Sequence, residues 1–119
     1  MITKKNKKPT LPTEKEMLGY KPKRNDFEWE VNSEGLVEIK VPKFKSNFGK
    51  SFCNVLKKEN TFVATMDKIG SVIWQNCNGV NAVFDILEIL KKEFPDEKDI
   101  DQRLYLFVQQ LYSLNYIDY

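Results

Sequence analysis

The apolar residues of this chain change period at Asp67. Ahead of it, over 27–41, hydrophobic positions alternate with polar ones; after it, they recur every three or four residues. Phe27-Glu28-Trp29-Glu30-Val31 and Val37-Glu38-Ile39-Lys40-Val41 both alternate, the mark of half-buried strands. Asn32-Ser33-Glu34-Gly35 between them is a turn, so the two runs make an antiparallel hairpin that Pro42 ends. Thr61–Met66 is rich in β-branched and aromatic residues and predicts a third strand. Asp67 then stands where a helix N-cap is wanted, ahead of Ile69, Val72, Ile73 and Trp74, with Gly79 as a left-handed stop. Asn81 is expected to cap a second helix with Val83, Ile86, Leu87, Leu90 and Phe94 as its stripe, and Pro95 ends it. The third helix starts near Asp99, buries Ile100, Leu104, Phe107, Val108, Leu111 and Leu114, and has Asn115 as its C-cap. This order predicts an α+β, winged-helix-like domain: a three-stranded antiparallel sheet packed on three helices.

At 119 residues the chain has room for one core. Its formal charge of +2 divides unevenly, with eight basic residues against two glutamates in 1–24 and eleven against fifteen in 25–119. Pro9, Pro12 and Pro22 interrupt the basic stretch. Residues 1–24 are therefore expected to be a flexible tail with a short ordered patch at 17–20, and 25–119 the domain. Within it, Phe44, Phe48, Phe52, Val55 and Leu56 fit either an irregular turn or a short amphipathic helix, so 43–60 is expected to be an insert covering the sheet.

Several function classes lose their chemistry at this point. The chain has no histidine, which removes the commonest general base and metal ligand. Cys53 and Cys77 lack CxxC partners and are expected to be reduced thiols in a cytoplasmic protein. Asp96, Glu97, Asp99 and Asp101 are explained by capping at a helix start, and the five glycines form no phosphate loop. No apolar run approaches the length of a membrane span or a secretory signal. A non-enzyme without metal or cofactor is expected.

Two features point outward. Tyr105, Tyr112 and Tyr116 form a second line on the third helix, and Leu106 points elsewhere again; these groups either pack under 43–60 or line a groove. Thr61–Met66 has neither charge nor proline, the devices that usually blunt an edge strand. An open edge there suits addition of a partner's strand. It would also allow self-pairing into a homodimer.

The stretch from Met66-Asp67-Lys68-Ile69-Gly70-Ser71-Val72-Ile73-Trp74 through Gly79 and Asn81 to Ile86, Leu90 and Phe94 resembles the PqqD-like family. Phe107, Leu111 and Ile117 extend the resemblance, which covers residues 25–119. It implies a non-catalytic recognition element that holds the leader of a ribosomally made precursor peptide by strand addition. The leader is then presented to a modifying enzyme such as a radical S-adenosylmethionine protein. The resemblance implicates Thr61, Phe62, Val63, Ala64 and Thr65 for backbone pairing, and Arg103, Tyr105, Leu106, Gln109 and Tyr112 on the third helix.

Two alternatives share the element order. One is a winged-helix DNA-binding protein, for which Arg103 is the single basic residue of the third helix, so nucleic acid is not the expected partner. The other is a module dedicated to docking one protein.

Overall fold

The computed structural model describes residues 12–41, 53–58 and 61–119. The element order is α1 (Glu14–Leu18), β1 (Lys23–Arg24), β2 (Trp29–Val31), β3 (Val37–Val41), β4 (Cys53–Lys58), β5 (Thr61–Met66), α2 (Lys68–Asn76), α3 (Val83–Glu93), α4 (Ile100–Ser113) and β6 (Ile117–Asp118). The fold is α+β, as the change of period predicts. The three expected strands are neighbours, but the sheet has four, in the order β2-β3-β5-β4, all antiparallel. Part of the expected covering insert is thus the fourth strand; residues 43–52 and 59–60 lie outside the described residues.

Alternation puts Val37, Ile39, Ala64 and Met66 on one face, where all four are buried against the helices. Ser71 fastens the hairpin to α2: its Oγ accepts from the Val37 N–H at 2.9 Å and donates to the Met66 carbonyl at 3.4 Å. The helical stripes fall as expected, with Ile69, Ile73, Trp74, Val83, Ile86, Leu90, Leu104, Val108 and Leu111 in one core. Gly35 at φ +82° and Gly79 at φ +80° occupy the left-handed region at the predicted turn and stop, and Asn115 at φ +69° follows α4. The expected cap of α3 is corrected. The N-cap is Ala82, whose N–H donates to Asp85 Oδ2 at 2.8 Å, while Asn81 turns its amide back to the Asn76 carbonyl at 3.3 Å.

Residues 12–24 are not a tail. Thr13 and Glu16 form a reciprocal capping box at the start of α1, with Glu16 N–H to Thr13 Oγ1 at 3.1 Å and Thr13 N–H to Glu16 Oε1 at 2.9 Å. Met17 is fully buried. β1 pairs with β6, joining the two sequence-distant segments in a second small sheet. Residues 1–11, also expected to belong to the tail, lie outside the described residues.

Gly70 lies where α2 meets α4. A Cβ there would stand 3.1 Å from Phe107 Cζ and 3.1 Å from Asp67 Oδ1. Alanine gains about 1 kcal/mol of helix propensity, whereas overpacking costs about 1–3 kcal/mol. Phe107 is buried and has little room to retreat. Gly70→Ala is therefore expected to lower the urea midpoint, and Phe107→Leu in the same chain to restore part of the loss.

Candidate peptide-binding edge and the third-helix face

The hydrogen-bond phase of the sheet follows from two bonds. Lys40 N–H donates to the Glu28 carbonyl at 3.0 Å, and Asn32 N–H to the Leu36 carbonyl at 2.8 Å. Even-numbered residues of β3 therefore face β2, and Val37, Ile39 and Val41 face the other way. Ile39 stands opposite Ala64 and Val41 opposite Phe62, so Phe62 and Ala64 bond to β3. Thr61, Val63 and Thr65 then turn to β4, opposite Lys58, Leu56 and Asn54.

Both edges of β5 are thus occupied by the chain's own strands. The backbone row of Thr61, Phe62, Val63, Ala64 and Thr65, expected to be open, is closed by β4 on one side and β3 on the other. The physical reason is the segment 53–58, which pairs with β5 instead of lying across the sheet. Among the described residues, the unpaired edges of the four-stranded sheet are the outer sides of β2 and β4.

The helix residues divide. Arg103 is bound to its own chain: Nη2 meets Asp67 Oδ2, while Asp67 Oδ1 accepts from Gly70 N–H at 2.7 Å and caps α2. Tyr105 is buried, and burial, reinforced by Glu14 and then Asp101, raises its phenol above the ordinary range. Gln109 donates Nε2 to Met17 Sδ at 3.6 Å, again facing the N-terminal segment. Leu106 and Tyr112 remain exposed, at 56% and 45%.

The expected tyrosine line does not exist as one surface. α4 ends at Ser113, so Tyr116 leaves the helical spacing and is buried, its ring 4.3 Å from that of Phe27. Tyr112 instead stacks on Tyr119 at 4.3 Å, and Tyr119 on Tyr20 at 4.4 Å. Burial, with Tyr112 and Tyr20 adding, raises the Tyr119 phenol. Sequence reasoning marked Tyr20 only as part of an ordered patch and gave Tyr119 no role. The signal for both would have been strand pairing of the flanking residues, which is non-local.

Cys77 is fully buried at the end of α2, and burial pushes its thiol up to about 12, with Arg24 pulling partly the other way. A thiol held protonated is a poor nucleophile at neutral pH. The folded protein keeps this proton more tightly than the unfolded chain, whose thiol titrates near 9.0. The associated stability is intact below pH 9 and is lost as pH rises toward 12. Urea midpoints of wild type and Cys77→Ala are expected to converge or cross over that interval.

Among the described residues, no three His, Cys, Asp or Glu side chains are grouped to hold a metal ion, and no helix is long and apolar enough to cross a membrane.

The family model for coenzyme PQQ synthesis protein D matches residues 54–117, more than half of the chain. The chain belongs to the PqqD family. No curated protein and no solved structure matches it. The PqqD match begins inside β4 and ends in β6, so the β4–β5 hairpin and all of α2, α3 and α4 fall within it. The partner of β5 on its other side, β3, comes from the residues before the PqqD match.

Proposed function

We propose that this protein is a non-catalytic accessory of peptide modification that holds an extended precursor peptide and presents it to a modifying enzyme in the cytoplasm. The family's name gives the setting, cofactor biosynthesis of the PQQ type, and a radical S-adenosylmethionine enzyme is the class of partner expected. The observation that carries the reading is the match across the β4–β5 hairpin and the three helices that follow it. Two features support it. Among the described residues the four-stranded sheet keeps unpaired edges at β2 and β4, which is what strand addition requires. The chain has no histidine, and Cys77 is buried and held protonated, which leaves little for a catalytic role.

In this reading the peptide pairs at another edge than Thr61–Met66, since that strand lies between β3 and β4. Arg103 is engaged by Asp67, so α4 presents no free cation to a nucleic-acid backbone. Of the third-helix residues named above, Leu106 and Tyr112 are exposed, Arg103 and Gln109 are half-buried, and Tyr105 is buried.

The test is a titration of the isotopically labelled protein with a synthetic precursor encoded beside its gene. Saturable amide shifts at a sheet edge are the expected result. Absence of any saturable shift, with the protein folded, would overturn the reading.

A further inference from the structure

We infer that the outer edge of β4 is the strand-accepting site, and that its occupant is an extended, acidic peptide segment. This rests on the peptide-holding reading above and names the edge and the chemistry.

The two unpaired edges are not equivalent. β2 has three residues, and glutamates surround it. Glu28 is paired with Lys40 at 3.1 Å, and Glu30 stands opposite Glu38 in the ladder. Its Trp29 is committed to the core, edge-to-face with Trp74 at 6.2 Å and beneath the Arg24 guanidinium at 5.0 Å. A short, acidic strand of this kind is a blunted edge.

β4 is different. It runs for six residues in unbroken register with β5, from Cys53 opposite Met66 to Lys58 opposite Thr61. Its residues include neither proline nor acid. The phase derived above turns Asn54, Leu56 and Lys58 toward β5, so Cys53, Val55 and Lys57 direct their N–H and C=O groups away from the sheet. Three residues of one strand thus offer a regular ladder in a single plane, long enough to fix an incoming segment of similar length.

The sign of the occupant comes from the sequence. Residues 41–58 contain five lysines and no aspartate or glutamate, in a chain whose remaining charge is net negative. An acidic segment is attracted to this part of the chain, whereas a basic one is repelled.

The probe is an end-blocked octapeptide of alternating valine and glutamate, titrated into the labelled full chain. Amide shifts are expected at Cys53, Val55 and Lys57. Val55→Pro removes one outward N–H while leaving the β4–β5 bonds in place, which an edge strand tolerates. It is expected to weaken binding about tenfold. A second arm leaves the protein untouched: octapeptides N-methylated on alternate residues in the two possible frames. One frame is expected to lose binding and the other to keep it.

Shifts confined to Trp29–Val31 or α4, or equal binding by both methylated frames, would overturn the edge and leave the peptide-holding reading intact. Binding of the encoded precursor but not of the octapeptide would overturn the acidic occupant. A homodimer that dissociates on Val55→Pro would assign the edge to a second copy and overturn the inference. If neither peptide binds, both readings fall.

Discussion

Trp74→Ala is expected to cost about 3–5 kcal/mol, the range for emptying a large aromatic site in a core. Domains of this size hold about 5–15 kcal/mol in total, so this one change removes much of the reserve. Trp74 is fully buried at the C-terminal half of α2 and touches the hairpin through Trp29. Arg24 is organised around the same point: its Nη1 donates to the carbonyls of Trp74 at 2.8 Å and Gln75 at 3.1 Å. These are carbonyls of the last turn of α2, met by a cation at the negative pole of the helix dipole; that of Trp74 also accepts from Cys77 N–H at 3.1 Å. Alanine leaves a cavity and removes the ring that Trp29 packs against, while the backbone carbonyls that hold Arg24 remain. Trp74→Phe is expected to cost much less. The indole Nε1 is buried and has no hydrogen-bond partner among the described residues, so removing it relieves a desolvation penalty of about 1–3 kcal/mol while most of the ring volume stays. Urea unfolding of the three proteins, followed by far-ultraviolet circular dichroism, checks the order wild type, Phe, Ala. A Trp74→Ala protein with an unchanged midpoint would refute the packing described for this site.

Deleting residues 1–24 is expected to leave a chain without a cooperative unfolding transition. A flexible tail would be removed without effect. Here the segment carries Met17 into the core, and truncation of a buried methionine alone costs about 2–5 kcal/mol. The deletion also removes backbone partners along its length. The Tyr20 carbonyl accepts from Val83 N–H at 2.8 Å, the Pro22 carbonyl accepts from Gly79 N–H at 2.8 Å, and Arg24 N–H donates to the Cys77 carbonyl at 3.0 Å. Tyr119 loses the ring it stacks on, and β6 loses its strand partner. Met17→Ala isolates the packing share and is expected to fold with a lowered midpoint. A deletion variant that melts as sharply as wild type would show that the segment is dispensable.

The sequence carried the parts of this fold whose signals are local. The change of period at Asp67 separates strands from helices, and Gly35, Gly79 and Asn115 stand in the left-handed conformations their turns need. The N-terminal segment was misread because α1 has five residues, too few for a period, and β1 has two. Its lysines suggest solvent, and Lys15, Lys21 and Lys23 are indeed exposed; among its described residues, Met17 and Pro22 are buried and Leu18 and Tyr20 pack against the core. Pro12 and Pro22 break no element, since Pro12 precedes the cap of α1 and Pro22 precedes β1.

The site was harder to read for a related reason. Cys-Asn-Val-Leu-Lys-Lys has no alternation, yet 53–58 is a strand, paired along its whole length with β5, and that pairing is non-local information. The useful clue was the two-residue interval Glu59-Asn60 ahead of Thr61, a spacing typical of hairpins. Tyrosine spacing failed because the helix ends before Tyr116. Arg103 and Tyr105 are engaged with Asp67 and with the core, which no one-dimensional pattern records.

The pairing of Lys23 with Asp118 has a consequence for the order in which the molecule is made. The four-stranded sheet and helices α2, α3 and α4 lie between those two residues, and closing so long a loop is slow compared with forming a local hairpin or helix. During synthesis the α1 segment emerges early and must wait for residues 117–118 before β1 can settle. Met17 therefore stays unsheltered while the intervening residues are made, and this part of the architecture closes only once residues 117–118 have emerged.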